Sequence, residues 1–230
     1  MKVSVIIPAY NEEKNLGRLI PYLQANSQSF VKEILVADGG SSDKTVEVSK
    51  KLGARVLKSP QKGRAAQMNF GAEESIGEIL YFLHADSFPP KNFDRMIVSS
   101  IKNRNVAGCF LLQFDDDHPL LRFYSVFTAL KTAYVRFGDQ SLFVRRDIFN
   151  EIDGFKENLI VMEDQEIVHR LIKKGEFELI KKSVTTSAEK YRTNGVVRLQ
   201  CIFSAIYFFY YLGASQKTLV HLYKNLIRTD

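Results

Sequence analysis

The sequence is poor in cysteine and has no long hydrophobic run, and both absences exclude classes of protein. Cys109 and Cys201 are its only cysteines among 230 residues, which is too few for a disulfide scaffold or a cysteine-type zinc site. The longest apolar run, residues 201–213, is shorter than the roughly 20 residues that a membrane-spanning helix needs. A strand-like segment begins at Val3, so no signal peptide is visible. We therefore expect a cytoplasmic protein, with peripheral contact at the inner face of a membrane as an open alternative.

Two nucleotide-binding fingerprints are missing as well. No GxGxxG stands near the first predicted strand, and GxxxxGK followed by Ser or Thr occurs nowhere, which excludes the standard dinucleotide and P-loop sites. The sequence has no repeat, low-complexity tract or Pro/Gly/Ser linker. With 45% hydrophobic and 25% charged residues, it has the composition of a globular protein of one or two domains.

Positive charge is distributed unevenly along the chain. Residues 1–172 carry 22 Lys and Arg against 22 Asp and Glu, whereas residues 173–230 carry 10 against 4. The C-terminal segment therefore supplies the whole net charge of +6.

The first half of the chain alternates strand-like and helix-like segments. Apolar, β-branched runs predict strands at 3–8, 33–37, 54–57 and 78–83. Helices are predicted after Asn11, which we expect to be an N-cap, at 44–52 with Asp43 as its cap, and at 64–75. This order indicates a parallel α/β sheet.

The second half is less regular. Strands are predicted at 106–114, 140–144 and 177–184, and helices at 119–136, 163–174, 197–211 and 216–227.

Polar or glycine-bearing segments follow each of the first four strands, at the edge where open α/β sheets bind ligands. Asp38 after the second strand could accept a hydrogen bond from a base or a ribose, or it could simply hold a turn. His84 and Asp86 end the fourth strand on one face, two residues apart, and Asp86 is a ligand type that suits Mg²⁺ or Mn²⁺. Glu163 and Asp164 open a helix, where acids either stabilise the helix dipole or provide a general base.

These motifs, in this order, resemble those of the family 2 glycosyltransferases, an inverting group with the GT-A fold. VSVIIPAYNEEKNL resembles the opening signature of that family, DGGSSDKT its second motif and LHADSFPP its DxD metal motif. GDQSLFVRRDIFNEIDGF and MEDQEIVHRLIKKG resemble its acceptor region, which ends in the ED base. The resemblance covers about residues 1–190. It implies a Rossmann-like mixed sheet flanked by helices, followed by a helical tail at 191–230.

The resemblance also implies a role for individual residues. Asp164 would be the catalytic base with Glu163 as its helper, and Asp86 with His84 would hold Mg²⁺ or Mn²⁺, although His84 stands where the family has Asp. The cleft for sugar and acceptor would include Gly138, Asp139 and Gln140. We expect the nucleotide sugar to be a UDP-sugar. It would be bound by Pro8, Ala9, Tyr10, Glu12, Asp38, Gly39, Asp43, Gly63, Arg64, His84, Ala85 and Arg192. The implied reaction moves the sugar to a hydroxyl of a lipid or a small metabolite.

The C-terminal tail combines aromatic and cationic residues. Six aromatic side chains fall within residues 203–211, in the segment that carries the charge excess. This composition suits an anionic membrane interface, but it equally suits a helix packed on the sheet or across a homodimer. Nucleic acid is not an expected partner, since the acidic residues at the strand ends would repel phosphate without a metal. A nucleotidyltransferase and a non-catalytic nucleotide-sugar binding module stay as alternatives.

Overall fold

A computed structural model of the protein describes residues 1–130 and 132–228. The strands are β1 (Val3–Ala9), β2 (Val31–Asp38), β3 (Arg55–Lys58), β4 (Ile79–Phe82), β5 (Ser87–Phe88), β6 (Ala107–Phe114), β7 (Leu142–Arg145) and β8 (Phe177–Thr186). The helices are α1 (Glu13–Asn26), α2 (Thr45–Lys51), α3 (Arg64–Glu74), α4 (Phe93–Lys102), α5 (Pro119–Phe127), α6 (Arg146–Glu151), α7 (Glu163–Ile172), α8 (Glu189–Asn194), α9 (Val196–Tyr211) and α10 (Gln216–Leu226). Two short 3₁₀ turns, Ala133–Val135 and Gly138–Gln140, lie before β7.

The first four strands form the predicted parallel sheet. β1 pairs with β2 on one side and with β4 on the other, and β2 pairs with β3, all in parallel. β1 is buried on both faces: Val5 and Ile7 pack in one core cluster and Ile6 in the other. This two-sided burial explains its continuous apolar sequence, because helices cover both faces of a parallel sheet.

The second half extends the sheet and makes it mixed. The strand order is β3-β2-β1-β4-β7-β6-β8-β5, in which β7 pairs antiparallel to both β4 and β6. β6 and β8 are parallel, and β5 pairs antiparallel to β8. The mixed α/β class expected from the sequence is confirmed.

The predicted helix at 119–136 is wrong, because α5 ends at Phe127. The buried guanidinium of Arg136 donates to the main-chain oxygens of Thr128 and Leu130, at 2.7 and 2.5 Å. These carbonyls are thus satisfied by a side chain rather than by a further helical turn. An apolar periodicity cannot reveal such a stop, since it does not record which side chain will bind these carbonyls.

The prediction that Asn11 caps α1 is also wrong. Asn11 has a positive φ of 55°, and its side-chain oxygen accepts a hydrogen bond from the Ser42 amide at 2.8 Å. The residue therefore joins the loop after β1 to the loop after β2. The predicted cap by Asp43 is displaced by one residue, because Lys44 occupies the N-cap position of α2; the Asp43 carboxylate accepts from the Thr45 amide at the start of the helix, at 2.9 Å.

The C-terminal helices pack onto the core cluster that contains Val5 and Ile7 of β1. Leu199, Ile202 and Ile206 of α9 and Leu219 of α10 are buried in it. In residues 1–130 and 132–228, no helix combines the length and the apolar character that crossing a bilayer requires. The boundary predicted at residue 190 remains a prediction.

Candidate functional site

A cavity opens beside the end of β4, where α3, α7 and the turn before β7 meet. Its polar wall is formed by Arg64, His84, Gly138, Glu163 and Asp164. Its floor is apolar and includes Met68, Phe82, Leu142 and Phe155. Three chain segments that the sequence analysis singled out thus share one concave surface, as expected for a ligand site in an α/β protein.

The Asp164 carboxylate is held in a fixed position by two main-chain amides. Gly138 donates to one carboxylate oxygen at 2.5 Å, and Gln165 donates to the other at 2.8 Å. A Cβ atom on Gly138 would lie 3.0 Å from His84 Cε1 and 3.1 Å from the Asp164 carboxylate. A larger residue at position 138 would therefore force His84 or Asp164 to shift by a few tenths of an ångström. The half-buried Asp164 accepts one amide at each oxygen, which leaves lone pairs available to a proton donor.

Glu163 lies next to Asp164 but is buried, with 2% of its surface exposed. Its carboxylate accepts a hydrogen bond from the Arg64 guanidinium at 3.3 Å. Burial raises the pKa of Glu163 and the negative charge of Asp164 adds to that effect, whereas Arg64 opposes it; the net direction is upward. Arg64 therefore ties the start of α3 to the start of α7 through this pair.

His84 is paired with Asp139 across the mouth of the cavity. Nδ1 of the imidazole lies 3.0 Å from the Asp139 carboxylate, so it carries the hydrogen that this contact needs. Burial opposes ionisation of Asp139, but the hydrogen bond and charge of His84, with the charges of Lys190 and Arg64, lower its pKa to about 2. The other ring nitrogen, Nε2, faces Gly138. The pair thereby orients the imidazole toward Asp164.

Asp86 is half-buried beside His84 and has one oxygen committed to the protein, 3.2 Å from the Ser87 hydroxyl. Burial raises the pKa of the neighbouring Glu12, and the negative charge of Asp86 adds to the rise. Within the described residues, no group of three or more His, Cys, Asp or Glu side chains is arranged to hold a metal ion by itself. One carboxylate and one imidazole nitrogen fit a divalent ion only if a bound diphosphate completes its coordination, which is how Mg²⁺ is commonly bound.

The acidic residues after β2 hold their own loop. Asp38 is 3% exposed, and its carboxylate accepts from the amides of Gly40 and Ser41, each at 3.1 Å. Asp43 binds the Thr45 hydroxyl and amide and the Glu13 amide. The turn-forming interpretation of Asp38 is therefore what the structure shows, and a contact of Asp38 with a nucleoside stays a prediction.

The loop after β1 leaves one large side chain free for a ligand. Tyr10 is more than half exposed, with the Lys62 ammonium 5.9 Å from its ring centroid. Pro8 and Ala9 are part of β1, and Ala9 and Ala85 are buried, so both alanines can offer a ligand little beyond their main chain.

Two further residues predicted for the site, Gln140 and Arg192, have their side chains bound within the protein. Gln140 is completely buried; its side chain donates to the Phe110 carbonyl at 3.1 Å and accepts from the Phe137 amide, so it supports the cleft from below. Arg192 is paired with Asp115 and Asp116 at 3.1 and 3.3 Å. A contact between Arg192 and a diphosphate would have to break both ion pairs.

The sequence analysis missed two polar residues that contribute to the site. Gln67 is buried on α3 and donates to the carbonyls of Ala9 and Ala37, at 2.8 and 2.7 Å, which fixes the ends of β1 and β2. It could have been found as a polar residue within a run of small and apolar ones. Lys190 precedes Arg192 by two residues, and its charge acts on Glu12 and Asp139. No local signal in the sequence indicates that Lys190 rather than Arg192 acts on these carboxylates.

Comparison with known proteins agrees with this arrangement. The model of the family described as glycosyl transferase family 2 matches residues 4–156. The chain belongs to this family.

Two curated relatives show how far the similarity extends. The chain is 30% identical over 175 residues to glycosyltransferase AglE of Haloferax volcanii, covering 69% of this chain and 57% of that protein. It is 32% identical over 108 residues to the dolichol-phosphate mannosyltransferase of Pyrococcus furiosus, covering 45% of this chain and 31% of the other. The family 2 chain thus spans between about a third and somewhat over half the length of these relatives.

Solved structures confirm the fold. Residues 1–349 of S. aureus TarS, solved in complex with UDP, align with a TM-score of 0.65 at 19% identity, covering 81% of this chain and 60% of that one. Glucosyl-3-phosphoglycerate synthase from Mycobacterium tuberculosis, solved with Mn²⁺, UDP and glucosyl-3-phosphoglycerate, aligns with a TM-score of 0.58 at 17% identity, covering 79% and 70%. The family 2 chain therefore has the mixed, helix-flanked sheet of the GT-A transferases.

Proposed function

We propose that this family 2 protein is an inverting glycosyltransferase that moves a sugar from a nucleotide diphosphate to an acceptor hydroxyl. The observation that carries the proposal is the placement of Asp164. Its carboxylate is fixed by the amides of Gly138 and Gln165 at the mouth of a cavity, within reach of an entering acceptor. A positioned carboxylate that keeps free lone pairs is suited to take a proton from a hydroxyl as it becomes a nucleophile.

The reaction is a single displacement. Asp164 accepts the acceptor's proton while the acceptor oxygen attacks the anomeric carbon from the face opposite the diphosphate. The new carbon–oxygen bond forms as the bond to the diphosphate breaks, and the electron pair leaves on the nucleotide. One attack without a covalent intermediate inverts the anomeric configuration.

The donor's negative charge needs compensation beside the end of β4. Arg64 supplies positive charge at the cavity wall, and the charge of Lys190 reaches the same region. Asp86 and the free nitrogen of His84 are the residues that would hold Mg²⁺ or Mn²⁺, and such an ion would neutralise charge developing on the diphosphate. Mn²⁺ accompanies UDP in the aligned synthase structure, which supports this assignment. Tyr10 is exposed beyond β1 and would stack on a nucleobase.

UDP is the nucleotide that the aligned TarS structure contains, which supports a UDP-sugar as donor. The Pyrococcus furiosus relative is named for a lipid phosphate, which supports a lipid-linked acceptor. An acceptor hydroxyl needs a base, whereas an ionised phosphate oxygen attacks without losing a proton, so the two acceptor types respond differently to loss of Asp164.

The test combines donor binding with turnover. Nucleotides and nucleotide sugars are screened by thermal shift with and without Mn²⁺, because a ligand of the native state raises its melting temperature by mass action. Asp164→Asn is then assayed with the donor that emerges. We expect kcat for a hydroxyl acceptor to fall by about 10²–10⁴-fold while the donor-induced thermal shift is kept.

Asp147→Asn is the matched control. Asp147 is exposed at the start of α6, paired with Arg145 at the opposite end of β7 from the cavity, and this variant should keep the wild-type rate. A near wild-type rate for Asp164→Asn with a hydroxyl acceptor would contradict the role of the base. No thermal shift with any diphosphate nucleotide would contradict the proposal as a whole.

A further inference from the structure

The α5 helix turns an apolar stripe to solvent. Phe123, Val126 and Phe127 are spaced by three and one residues, so they lie on one face of α5, and Leu130 follows in the turn after the helix; the four side chains are 55, 68, 44 and 51% exposed. A helix on a globular protein normally buries such a stripe. Its neighbours Leu121 and Thr128 are buried, so α5 is docked on the protein by its other side.

The stripe continues into the aromatic end of α9. Tyr134, which follows Leu130 in the same connection, is more than half exposed; its ring lies 5.5 Å from that of Tyr211, and its carbonyl accepts from the Tyr207 hydroxyl at 2.9 Å. Phe208, on the same turn of α9, is 59% exposed. We call Phe123, Val126, Phe127, Leu130, Tyr134 and Phe208 the apolar belt.

The apolar belt is joined to the site by a short, braced segment. Buried Arg136 binds the carbonyl of Leu130, and two residues later the Gly138 amide binds Asp164. Phe137, between them, lies 6.4 Å from the ring of Tyr207. A molecule that covers the belt therefore lies next to the mouth of the cavity.

The helices behind the belt carry positive charge only. Residues 190–228 contain six Lys and Arg and no Asp or Glu. Lys217 and Lys224 are exposed on α10, which packs against α9. Of the acids that precede α5, Asp117 pairs with Arg122, while Asp115 and Asp116 share Arg192, which is one of these six cations, so one acidic charge is left against the other five. The positive field thus remains for a partner with negative charge.

We propose that the apolar belt docks this protein on an anionic lipid bilayer. Exposed Phe and Val side chains enter the boundary between headgroups and acyl chains, tyrosines suit the headgroup level, and the Lys and Arg of α9 and α10 attract anionic lipids. Exposed apolar side chains grouped on one face of a helix mark an interaction site, and the excess of positive charge in residues 190–228 favours an anionic lipid surface over a protein of mixed charge. The docking itself is independent of the proposed function. Only its purpose, to bring the cavity to an acceptor held in the membrane, rests on that function.

The test is co-sedimentation of the full chain with vesicles, in the absence of any donor. Vesicles of phosphatidylcholine with phosphatidylglycerol are compared with pure phosphatidylcholine, at low and high salt. We expect binding to the anionic vesicles only, weakened by salt because screening shortens the reach of surface charge. Lys217→Gln with Lys224→Gln should weaken that binding by roughly fivefold per charge.

The belt is tested with Phe123→Gln, Val126→Gln and Phe208→Gln combined, which should weaken vesicle binding by about tenfold or more. Ile76→Gln is the matched control, since Ile76 is equally exposed in the turn before β4, at the opposite end of the sheet from the cavity, and should bind as wild type. An unchanged melting temperature and thermal shift with UDP show that the triple variant is folded.

The proposal would be overturned if the wild-type protein did not bind anionic vesicles. It would equally be overturned if the triple variant bound them as well as the wild type does. It would also be overturned by a concentration-dependent dimer in size-exclusion chromatography that the triple variant abolishes, because the belt would then be covered by a second copy. If vesicle binding fails while UDP binds normally, the docking proposal is contradicted and the proposed function stands. If the protein binds anionic vesicles but no UDP, the docking proposal stands and the proposed function is contradicted.

Discussion

Candidate site residues lie in two regions that are built differently: the loops after β1 and β2, and the turn before β7. In the first, acids bind amides close in sequence: Asp38 binds Gly40 and Ser41, two and three residues on. In the second, Gly138 binds Asp164, 26 residues away. The first arrangement combines local turns with bonds between the two loops, such as that of Asn11 with the Ser42 amide, whereas the second consists of a bond between distant elements. Substitutions should therefore cost stability in the first region and activity in the second.

Gly138→Ala should give the largest effect. The added Cβ would come within 3.1 Å of both His84 and Asp164, so one of them must shift by a few tenths of an ångström. We expect kcat to fall by about 10–100-fold, because small misplacements of a reacting group are costly, with little change in melting temperature. Steady-state transfer kinetics beside thermal unfolding give both values.

Gly17→Ala is the control for this glycine. Gly17 lies in α1, far from the cavity in the fold. A Cβ atom on it would lie 3.7 Å from the Val48 side chain, which is an ordinary van der Waals distance. This variant should keep full activity and gain up to about 1 kcal/mol of helix stability. Equal losses of activity in Gly17→Ala and Gly138→Ala would remove the contrast between the two regions.

Asp43→Ala should affect stability in a pH-dependent way. Burial raises the pKa of Asp43, but the Thr45 hydroxyl and amide and the Glu13 amide outweigh it and hold the pKa below the ordinary value of 3.8. Its contribution to the free energy of unfolding is therefore present above pH 3.8 and is lost as the pH falls through the lowered pKa. We expect a cost of about 1 kcal/mol at neutral pH, as for loss of a helix cap, which disappears in strong acid. Urea unfolding across this range measures it; a pH-independent cost would mean that the carboxylate charge is not what stabilises the loop.

Tyr211→Phe should have the smallest effect. The hydroxyl lies 2.9 Å from His169 Nε2 and donates to the Gln165 side chain at 3.3 Å, next to Asp164. Its removal should cost about 0.5 kcal/mol of stability, and a few-fold in kcat if the tail helps to hold Gln165. Tyr210→Phe is the matched control, since the described part of the chain offers its hydroxyl no hydrogen bond. Identical kinetics in both variants would show that the tail does not brace the site.

Much of the first half could be predicted from local patterns. The four parallel strands, their intervening helices and the role of Asp43 at the start of α2 follow from apolar runs and turn residues, which depend on neighbours in sequence. The end of α5 could not be predicted, because the apolar pattern continues past Phe127 and does not record the hydrogen bonds from Arg136 to Thr128 and Leu130. The capping role expected of Asn11 failed for the same kind of reason, since Ser42 on another loop binds its side chain.

The candidate residues were identified from sequence, but their pairing was not. The motif resemblance predicted that His84, Asp86, Glu163 and Asp164 belong to one site, and the structure brings three of them, His84, Glu163 and Asp164, to one cavity. Only the tertiary structure decided that His84 pairs with Asp139, that Arg64 pairs with Glu163, and that Arg192 is held by Asp115 and Asp116. Partners 55 and 99 residues apart meet through packing of the whole chain, and no local preference records which cation reaches which carboxylate.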